Sequence, residues 1–258
     1  MSTTYPRIRP MIEHSQHDGI HELRLARPPV NALDPALCRL LREAMDRAVA
    51  DGAQGIVLSG GPGVFSAGLD VPHLLGLDAV ALRAAWEGFI DAARALAQSP
   101  VPVAAALNGH SPAGGCVLAL CCDYRVMAAG EYRIGLNETQ VGLIAPEGIQ
   151  RLMRRVVGPH RAERLLVAGA MVDAQQALSI GLVDELAAIE DVPQRAHAWL
   201  SQLLVLPRKP MLATRAIARA EVVAALRPEL LELDRFVEAW TDPDTQSALR
   251  ALLARLGK

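Results

Sequence analysis

Glycines and a proline interrupt an apolar run at one point, and this interruption constrains the possible fold more than any other feature. Residues 101–109 read VPVAAALNG, and the apolar pattern resumes over residues 115–123 as GCVLALCCD. This predicts a buried strand, a loop and a buried helix in direct succession. Amides at a helix start lack intrahelical acceptors, and glycines let a ligand oxygen approach them. The Gly114-Gly115 loop therefore suits an anion or a developing oxyanion, although tight packing would also explain its glycines.

The same plan occurs upstream in GIVLSGGPGVFSAGLD, residues 55–70, where a β-rich run precedes a glycine-proline loop and Ser66-Ala67-Gly68. Two such loops can supply two amide donors. Neither loop is a phosphate loop, because no Lys-Ser/Thr pair follows the last glycine, and the upstream loop contains no G-x-G-x-x-G. A serine nucleophile elbow is disfavoured at Gly109, because the fifth residue of that segment is Ala113.

At these residues the chain resembles the crotonase (enoyl-CoA hydratase/isomerase) superfamily, whose members share F-S-A-G-x-D and a later N-G-x-x-x-G-G-G/C followed by C-D. The resemblance runs over residues 20–183 in the same order and spacing. Within the family, SPAGGCVLALCCDYR and IGLNETQVGLIAP most resemble the mitochondrial-type Δ3,Δ2-enoyl-CoA isomerases. The resemblance implies that the amides of Ala67 and Gly114 hold the oxygen of an acyl-CoA thioester and that Glu138 is the catalytic acid/base.

The residue at position 117 separates two activities within this family. Hydratases divide their proton transfers between two glutamates, the first of which falls at Val117 and the second at Glu138. Valine transfers no proton, so the pattern favours isomerisation of 3-enoyl-CoA to 2-trans-enoyl-CoA, a step auxiliary to fatty-acid β-oxidation. Apolar neighbours of Glu138 would raise its pKa towards neutrality. By its position alone, Glu138 can equally end a strand or start a turn.

Glu147 is a second candidate base, because it lies in a P-E-G context similar to that of the catalytic glutamate of peroxisomal-type isomerases. If Glu147 faces the same pocket as Glu138, an alternative activity is hydration of 2-enoyl-CoA by the two carboxylates. Otherwise Glu147 lies in the first turn of a helix, where it complements the dipole. A third alternative is an acyl-CoA-binding protein without turnover.

The resemblance also implies a substrate-binding set around the two loops. A rigid loop at residues 28–33 would border the CoA channel. Asp70 is by its position also a helix-capping residue. The expected substrate-binding residues are Ala32, Gly68, Leu69, Asp70, Val71 and Asn137.

Composition narrows the possible partners and cofactors. A net charge of −2 and 3% aromatic residues argue against a nucleic-acid surface, and no apolar run has membrane-spanning length. His14, His17 and His21 invite a metal hypothesis, but strand geometry places His14 and His17 on opposite faces. We therefore expect no metal and no separate cofactor, since coenzyme A is carried by the substrate. The N-terminus lacks a hydrophobic signal core and the four cysteines suit reduced, buried thiols, so we expect a cytoplasmic protein.

Short strands alternate with helices over the first 190 residues, and helices alone follow, which predicts an α/β core with a helical C-terminal extension. We place the boundary near residue 195. The resemblance implies a crotonase-like spiral of ββα repeats over residues 1–195. It also implies that residues 196–258 are an oligomerisation region of a homotrimer or a dimer of trimers. The apolar residues of the C-terminal helices are also compatible with a cap on their own subunit.

Overall fold

The computed structural model describes residues 10–255 of the chain. It begins with two antiparallel strands, β1 (Ile12–His17) and β2 (Ile20–Leu25), joined at Asp18-Gly19. Both turn residues have positive φ, 49° and 75°, as tight hairpin turns require. The two strands and their turn form a β-hairpin. Residues 1–9, which include most of the N-terminal segment expected to lack a signal core, lie outside the described residues.

A six-stranded sheet forms the centre of the molecule. After the hairpin it continues with β3 (Gly55–Ser59), β5 (Val103–Leu107), β7 (Tyr124–Ala128) and β10 (Glu185–Ala187), all parallel, in the order β1-β2-β3-β5-β7-β10. Every residue of β3 and β5 is buried. Parallel strands covered on both faces favour such continuous apolar runs over alternating ones.

A second, smaller sheet explains the repeated loops of the sequence. Its strands β4 (Gly63–Val64), β6 (Gly109–Pro112), β8 (Arg133–Gly135) and β9 (Val172–Asp173) lie in that order. The strands β4, β6 and β8 each directly follow a strand of the main sheet. Each pair then leads into a helix or helical turn, which gives the predicted spiral of ββα units. The α/β fold class is therefore confirmed.

Helices cover both faces of the main sheet. The larger core lies on the side of α1 (Pro35–Ala50), α3 (Ala79–Ala97) and α4 (Gly114–Leu120). The remaining helices of this part are α2 (Val71–Leu74), α5 (Glu147–Val157), α6 (Pro159–Ala168), α7 (Ala174–Ser179) and α8 (Val192–Leu204).

Aspartates fix several helix starts. The side chains of Asp34, Asp78 and Asp173 accept hydrogen bonds from amides in the first turns of α1, α3 and α7 at 2.7–2.8 Å. Such caps satisfy amides that have no intrahelical acceptor. These caps fix the starts of the three helices at residues 35, 79 and 174.

The expected division near residue 195 falls inside α8. Val192, Ala196 and Leu200 of this helix pack on the other face of the main sheet in a separate apolar cluster. The helix therefore belongs to the core by its contacts, and the C-terminal extension begins after it. That extension comprises α9 (Arg208–Ala218), α10 (Ala220–Ala225), α11 (Leu233–Thr241) and α12 (Pro243–Arg255).

The C-terminal helices return to the body of the same chain. Arg215 and Arg219 bind the Asp123 carboxylate, whose side chain is 11% exposed, at 2.8 and 3.1 Å, which fixes α9 and the start of α10 beside β7. Phe236 and Trp240 of α11 and Leu249 of α12 are buried in the larger core. The last two helices thus form a cap on their own subunit.

Two further observations concern membrane spans and metal sites. No helix within residues 10–255 is both long and apolar enough to cross a membrane. The same part of the chain contains no cluster of three or more His, Cys, Asp or Glu side chains arranged to hold a metal ion. His14 and His21 instead contact each other, with Nε2 and Nδ1 3.0 Å apart.

Candidate active site

A largely apolar cavity of about 290 Å³ lies between α3, α4 and the two C-terminal helices α11 and α12. It brings together residues from distant parts of the chain, including both glycine loops. Its lining comprises Ala67, Leu69, Val71, Trp86, Phe89, Pro112, Ala113, Gly114, Val117, Asn137, Glu138, Val141, Leu143, Ile149, Trp240 and Leu252.

Glu138 is the titratable group of this cavity. It begins a 3₁₀ turn, Glu138–Val141, that follows β8, and its Oε2 is buried with no hydrogen-bond partner within residues 10–255. Burial among apolar groups disfavours the carboxylate and raises the pKa of Glu138 to about 7. A carboxyl group with this pKa exchanges protons readily near neutral pH. The expected pKa rise is therefore present, although Glu138 also starts the turn.

The start of α4 is formed by an unusual backbone conformation. Ala113 precedes the helix with φ 45° and ψ −115°, and its amide donates to the Gly135 carbonyl at 2.8 Å. A positive φ at a residue with a side chain is strained and marks a site that the surrounding structure holds in place. Gly114 follows as the first helical residue, and its amide has no acceptor among the described residues.

The structure corrects the assignment of the second amide donor. The amide of Ala67 donates to the Val30 carbonyl at 2.9 Å, and the amide of Gly68 donates to Ser66 Oγ at 3.2 Å. Neither is free for a ligand. The amide of Leu69, two residues after Ala67, has no acceptor within the described part of the chain. Ala67 still lines the cavity, but the available amide of this loop is that of Leu69.

The two loops approach each other at their glycines. A Cβ atom added to Gly68 would lie 3.1 Å from the nitrogen of Gly114, and Gly68 itself has φ +80°. A Cβ atom added to Gly114 would lie 3.4 Å from the nitrogen of Leu69. The absence of side chains at both positions therefore allows the two free amides to lie side by side at the cavity.

Val117 occupies the position where hydratases of this type have their first glutamate. It lines the cavity from α4 and is 1% exposed. Within the described lining, Glu138 supplies the one carboxylate. The cavity is therefore equipped for proton transfer by one group rather than by two.

Glu147 does not join this site. It starts α5 with its side chain 49% exposed, and its Oε1 accepts hydrogen bonds from Arg151 at 2.6 and 2.9 Å. It borders a separate surface cavity with residues of α11. The hypothesis that Glu147 and Glu138 face one pocket is wrong, because the first turn of α5 directs Glu147 towards solvent and an ion pair.

The expected substrate-binding set is divided by the structure. Leu69, Val71 and Asn137 line the cavity, whereas Ala32 and Gly68 are not among its lining residues. Asp70 has a structural role: its carboxylate binds Arg27 at 2.6 Å and caps α2 through the amide of His73. The capping role expected from the position of Asp70 is therefore present, and Ala32, Gly68 and Asp70 are not among the residues that line the cavity.

Sequence reasoning missed one whole side of the cavity. Trp86 and Phe89 of α3, Trp240 of α11 and Leu252 of α12 were not among the expected site residues. The scarcity of aromatic residues, 3% of the chain, was the signal that could have singled them out. No local pattern shows that α3 and α11 meet.

Comparison with known proteins decides the family. Residues 15–248 match the enoyl-CoA hydratase/isomerase family. The chain belongs to the enoyl-CoA hydratase/isomerase family.

Relatives within this family carry different activities in their names. Human mitochondrial enoyl-CoA delta isomerase 1 is 32% identical over 252 residues, covering 96% of this chain and 83% of that protein. A probable enoyl-CoA hydratase of Mycobacterium tuberculosis is 35% identical over 228 residues, covering 85% of this chain and 87% of that protein. Sequence similarity thus places the chain in the family without choosing between these activities.

Solved structures show the same fold. The crystal structure of human mitochondrial delta3-delta2-enoyl-CoA isomerase superimposes with a TM-score of 0.91 at 31% identity, covering 96% of this chain and 98% of that one. An enoyl-CoA hydratase from Mycobacterium ulcerans gives a TM-score of 0.82 at 28% identity, covering 88% and 99%. The crotonase fold implied by the resemblance is therefore confirmed.

Proposed function

We propose that this member of the enoyl-CoA hydratase/isomerase family isomerises 3-enoyl-CoA to 2-trans-enoyl-CoA. The observation that carries the proposal is that Glu138 is the one buried carboxylate among the described lining residues, in a cavity where Val117 stands at the position of a second proton-transferring group. Such a step belongs with the oxidation of unsaturated fatty acids, to which isomerisation is auxiliary.

The proposed reaction moves one proton between two carbons. The ionised Glu138 removes a proton from C2, and the electron pair passes into the thioester to give a dienolate. The protonated Glu138 then returns the proton at C4. The pair of the C3–C4 double bond forms the new C4–H bond, the C1–C2 pair moves to form the C2–C3 double bond, and the oxygen pair restores the thioester carbonyl. No carbon–oxygen bond is made, so the reaction needs no water, and substrate and product have the same molecular formula.

The amides of Leu69 and Gly114 would hold the negative oxygen of this dienolate. Both residues line the cavity, and both amides lack an acceptor within residues 10–255. One such donor typically contributes about 10²–10³ in rate, because it stabilises charge that develops in the transition state. Asn137, which also lines the cavity, is a further candidate for substrate contact.

Hydration of 2-enoyl-CoA is the second candidate, because named hydratases are as similar to this chain as named isomerases. Hydration needs one group to activate water and another to protonate C2. The exposed, ion-paired Glu147 does not supply the second group. The third candidate, acyl-CoA binding without turnover, leaves the raised pKa of Glu138 without a role.

Parallel assays separate the three candidates. The purified protein is incubated with 3-hexenoyl-CoA and, separately, with 2-trans-hexenoyl-CoA, and products are resolved by chromatography. Isomerisation predicts conversion of the first substrate and no 3-hydroxyacyl-CoA from the second. Formation of 3-hydroxyacyl-CoA from the second would favour hydration, and binding without either product would leave a non-catalytic protein.

We make three further proposals, which concern the cofactor, the cellular compartment and the oligomeric state. No separate cofactor takes part, since coenzyme A arrives with the substrate, and we place the protein in the cytoplasm. We also propose a homotrimer or a dimer of trimers. The helix α9 has no buried residue, and Val205, Leu206 and Ile217 at or next to it are 82%, 48% and 80% exposed. Sedimentation or light scattering of the full chain tests this assembly.

A further inference from the structure

Among the amides of residues 67–70, only that of Leu69 has no acceptor within residues 10–255. The other three amides are held at 2.9–3.2 Å by the Val30 carbonyl for Ala67, Ser66 Oγ for Gly68 and the Leu33 carbonyl for Asp70. Two of these three acceptors belong to residues 27–34, which we call the supporting loop. The direction of the free amide is therefore set by contacts with a second segment of the chain.

Asn31 joins the supporting loop to the residues that precede Leu69. Its Nδ2 donates to the Phe65 carbonyl at 3.0 Å, and its own carbonyl accepts a hydrogen bond from Ser66 Oγ at 2.8 Å. Its Oδ1 accepts a hydrogen bond from the amide of Arg27 at 2.8 Å. Asn31 has φ 50°, a conformation that asparagine adopts more readily than most residues. The chain before the free amide is thus fixed by neutral hydrogen bonds.

After Leu69, one guanidinium group makes the connection. Arg27 Nη2 contacts Asp70 Oδ2 at 2.6 Å, and Arg27 Nε contacts Asp34 Oδ2 at 3.1 Å. Arg27 Nη1 donates to the Ala32 carbonyl at 3.0 Å. The side chains of Asp70 and Asp34 are only 12% and 17% exposed, so solvent screens these ion pairs weakly. Arg27 therefore holds the residue that directly follows the free amide.

The planar shape of the guanidinium group suits this position. Three of its nitrogens reach two carboxylates and one carbonyl at once, which the single ammonium group of a lysine cannot do in the same geometry. Asp34 is itself fixed, because it caps the 16-residue helix α1 through the amide of Leu37 at 2.7 Å. The guanidinium group thus keeps Asp70 in a constant position relative to a long helix.

We propose that Arg27 is a positioning residue of the active site, which acts through Asp70 to aim the Leu69 amide at the thioester oxygen. Arg27 is not among the described lining residues of the cavity, so its effect does not depend on contact with the substrate. The inference rests on the proposed acyl-CoA function of the site. A displacement of about 1 Å in an active site can cost about 10²-fold in rate.

Arg27→Lys tests this role, because it keeps the positive charge between the two carboxylates and removes the three-way contact. We expect kcat with 3-hexenoyl-CoA to fall by about 10- to 10²-fold. The dissociation constant of hexanoyl-CoA should change by less than about threefold, since the oxyanion contact is stronger in the transition state than in the bound thioester. Arg24→Lys is the matched control, because Arg24 is half-exposed and pairs with Glu13 on β1. It should keep both values.

The carbonyl group of a bound thioester reports the two amide donors directly. Hexanoyl-CoA labelled with ¹³C at the thioester carbon is bound to each protein, and difference infrared spectra give the frequency of the carbonyl stretch. Hydrogen bonds to the oxygen lower this frequency, because they weaken the carbon–oxygen double bond. We expect a higher frequency in Arg27→Lys than in the unchanged chain or in Arg24→Lys. A loss of stability alone would leave the frequency unchanged.

Hydrogen–deuterium exchange of the free protein supplies a measurement that needs no ligand. The hydrogen-bonded amides of residues 67, 68 and 70 should exchange slowly in the unchanged chain. Weaker support should raise the exchange rate of peptides that cover residues 65–71 several-fold in Arg27→Lys. Peptides that cover the buried strand β3 should exchange at the same rate in both proteins.

The outcomes distinguish the role of Arg27 from the proposed isomerase. Faster exchange at residues 65–71 with a raised carbonyl frequency, in a protein that isomerises nothing, supports the positioning role and refutes the isomerase. An active isomerase in which folded Arg27→Lys leaves the carbonyl frequency unchanged refutes the positioning role, whatever its kcat. If hexanoyl-CoA does not bind the unchanged chain, the acyl-CoA function is refuted and the exchange rates decide whether Arg27 holds the loop.

A second variant keeps the test decisive if Arg27→Lys fails to fold. Asp70→Asn retains the side-chain oxygen that caps α2 and removes the charge that Arg27 binds. It should raise the carbonyl frequency and the exchange rate of residues 65–71 in the same direction as Arg27→Lys. Unchanged values for both in folded Asp70→Asn overturn the proposal.

Discussion

Leu69 and Gly114 lie side by side at the cavity, so that a Cβ atom added to Gly114 would be 3.4 Å from the Leu69 nitrogen. Neither amide has an acceptor among the described residues, whereas the neighbouring amide of Ala67 is held by Val30 at 2.9 Å. Two free donors at one cavity wall are the arrangement that stabilises a developing oxyanion.

Loss of the Leu69 donor should reduce turnover by about 10²–10³, because Leu69→Pro deletes the amide hydrogen. Gly114→Ala is a second variant, since its Cβ atom would lie 3.4 Å from the Leu69 nitrogen and closely, at 3.1 Å, against Leu33 Cδ1. Steady-state rates with 3-hexenoyl-CoA are compared after circular dichroism and melting confirm folding. Full activity in folded Leu69→Pro would refute this donor.

Glu138→Gln should abolish most isomerisation and leave acyl-CoA affinity nearly unchanged, because an amide keeps the shape but accepts no proton from C2. Glu147→Gln is the control, since Glu147 lies outside the cavity. Rates and dissociation constants are measured for both variants. Near-normal turnover in folded Glu138→Gln would remove Glu138 from the mechanism.

The pH dependence of kcat/KM should follow the ionisation of Glu138. Burial raises its pKa to about 7, and the ionised form is the base, so activity should rise with pH through a midpoint near 7. Rates are measured from pH 5 to 9 with a pH-independent detection method. A rate that is flat over this range would contradict the assignment.

Stability should change with pH in the opposite direction. The unfolded carboxyl group has a pKa of 4.5 and the folded one about 7, so between these values the folded state holds the extra proton. The free energy of unfolding should therefore fall as pH rises through this window, by about 3 kcal/mol. Denaturation of Glu138→Gln should lack this component. An equal slope in both proteins would contradict the pKa.

Thr245 of α12 should position Glu138 indirectly, through the 3₁₀ turn that begins at Glu138. Its buried hydroxyl donates to the Gly142 carbonyl, and Gly142 ends the 3₁₀ turn that Glu138 begins. Thr245→Val keeps the volume but leaves the carbonyl without this donor, at a cost of about 1 kcal/mol. We expect a lower kcat and a kcat/KM midpoint shifted to lower pH as water reaches Glu138.

A serine at the same position separates the hydrogen bond from packing. Thr245→Ser retains the hydroxyl, so its pH midpoint should return to that of the unchanged chain. If both variants lose stability equally and neither moves the midpoint, Thr245 has a structural role alone.

Glu147→Gln should change little. Its ion pair with Arg151 is about half exposed, and exposed i,i+4 pairs contribute about 0.3–0.5 kcal/mol to stability. Isomerisation and any hydration should both keep their rates. A selective loss of hydration in this variant would restore the two-base hypothesis.

Interactions between residues that are neighbours in the sequence determined the secondary-structure elements and much of the site. Aspartates before apolar periodic segments fixed the starts of α1, α3 and α7, and the Asp18-Gly19 turn fixed the hairpin, because caps and turns depend on neighbouring residues. The glycine loops placed Gly114 at a helix start. Val117 and Glu138 lie in one continuous segment, and each could be matched to a family motif by its position there. Glu138 could therefore be predicted as the base without any knowledge of the tertiary structure.

Long-range contacts decided the rest. Ala67 and Leu69 are indistinguishable as donors in the sequence, and the choice between them depends on Val30, whose carbonyl occupies the Ala67 amide. Glu147 was assigned to the pocket by its motif, but the direction of α5 and the pairing with Arg151 place it at the surface. Trp86 of α3 and Phe236 of α11 are 150 positions apart in the chain, yet their ring centroids lie 3.8 Å apart. Such contacts form because helices from distant parts of the chain pack into one core. The sequence around each residue does not specify which distant residue it will contact.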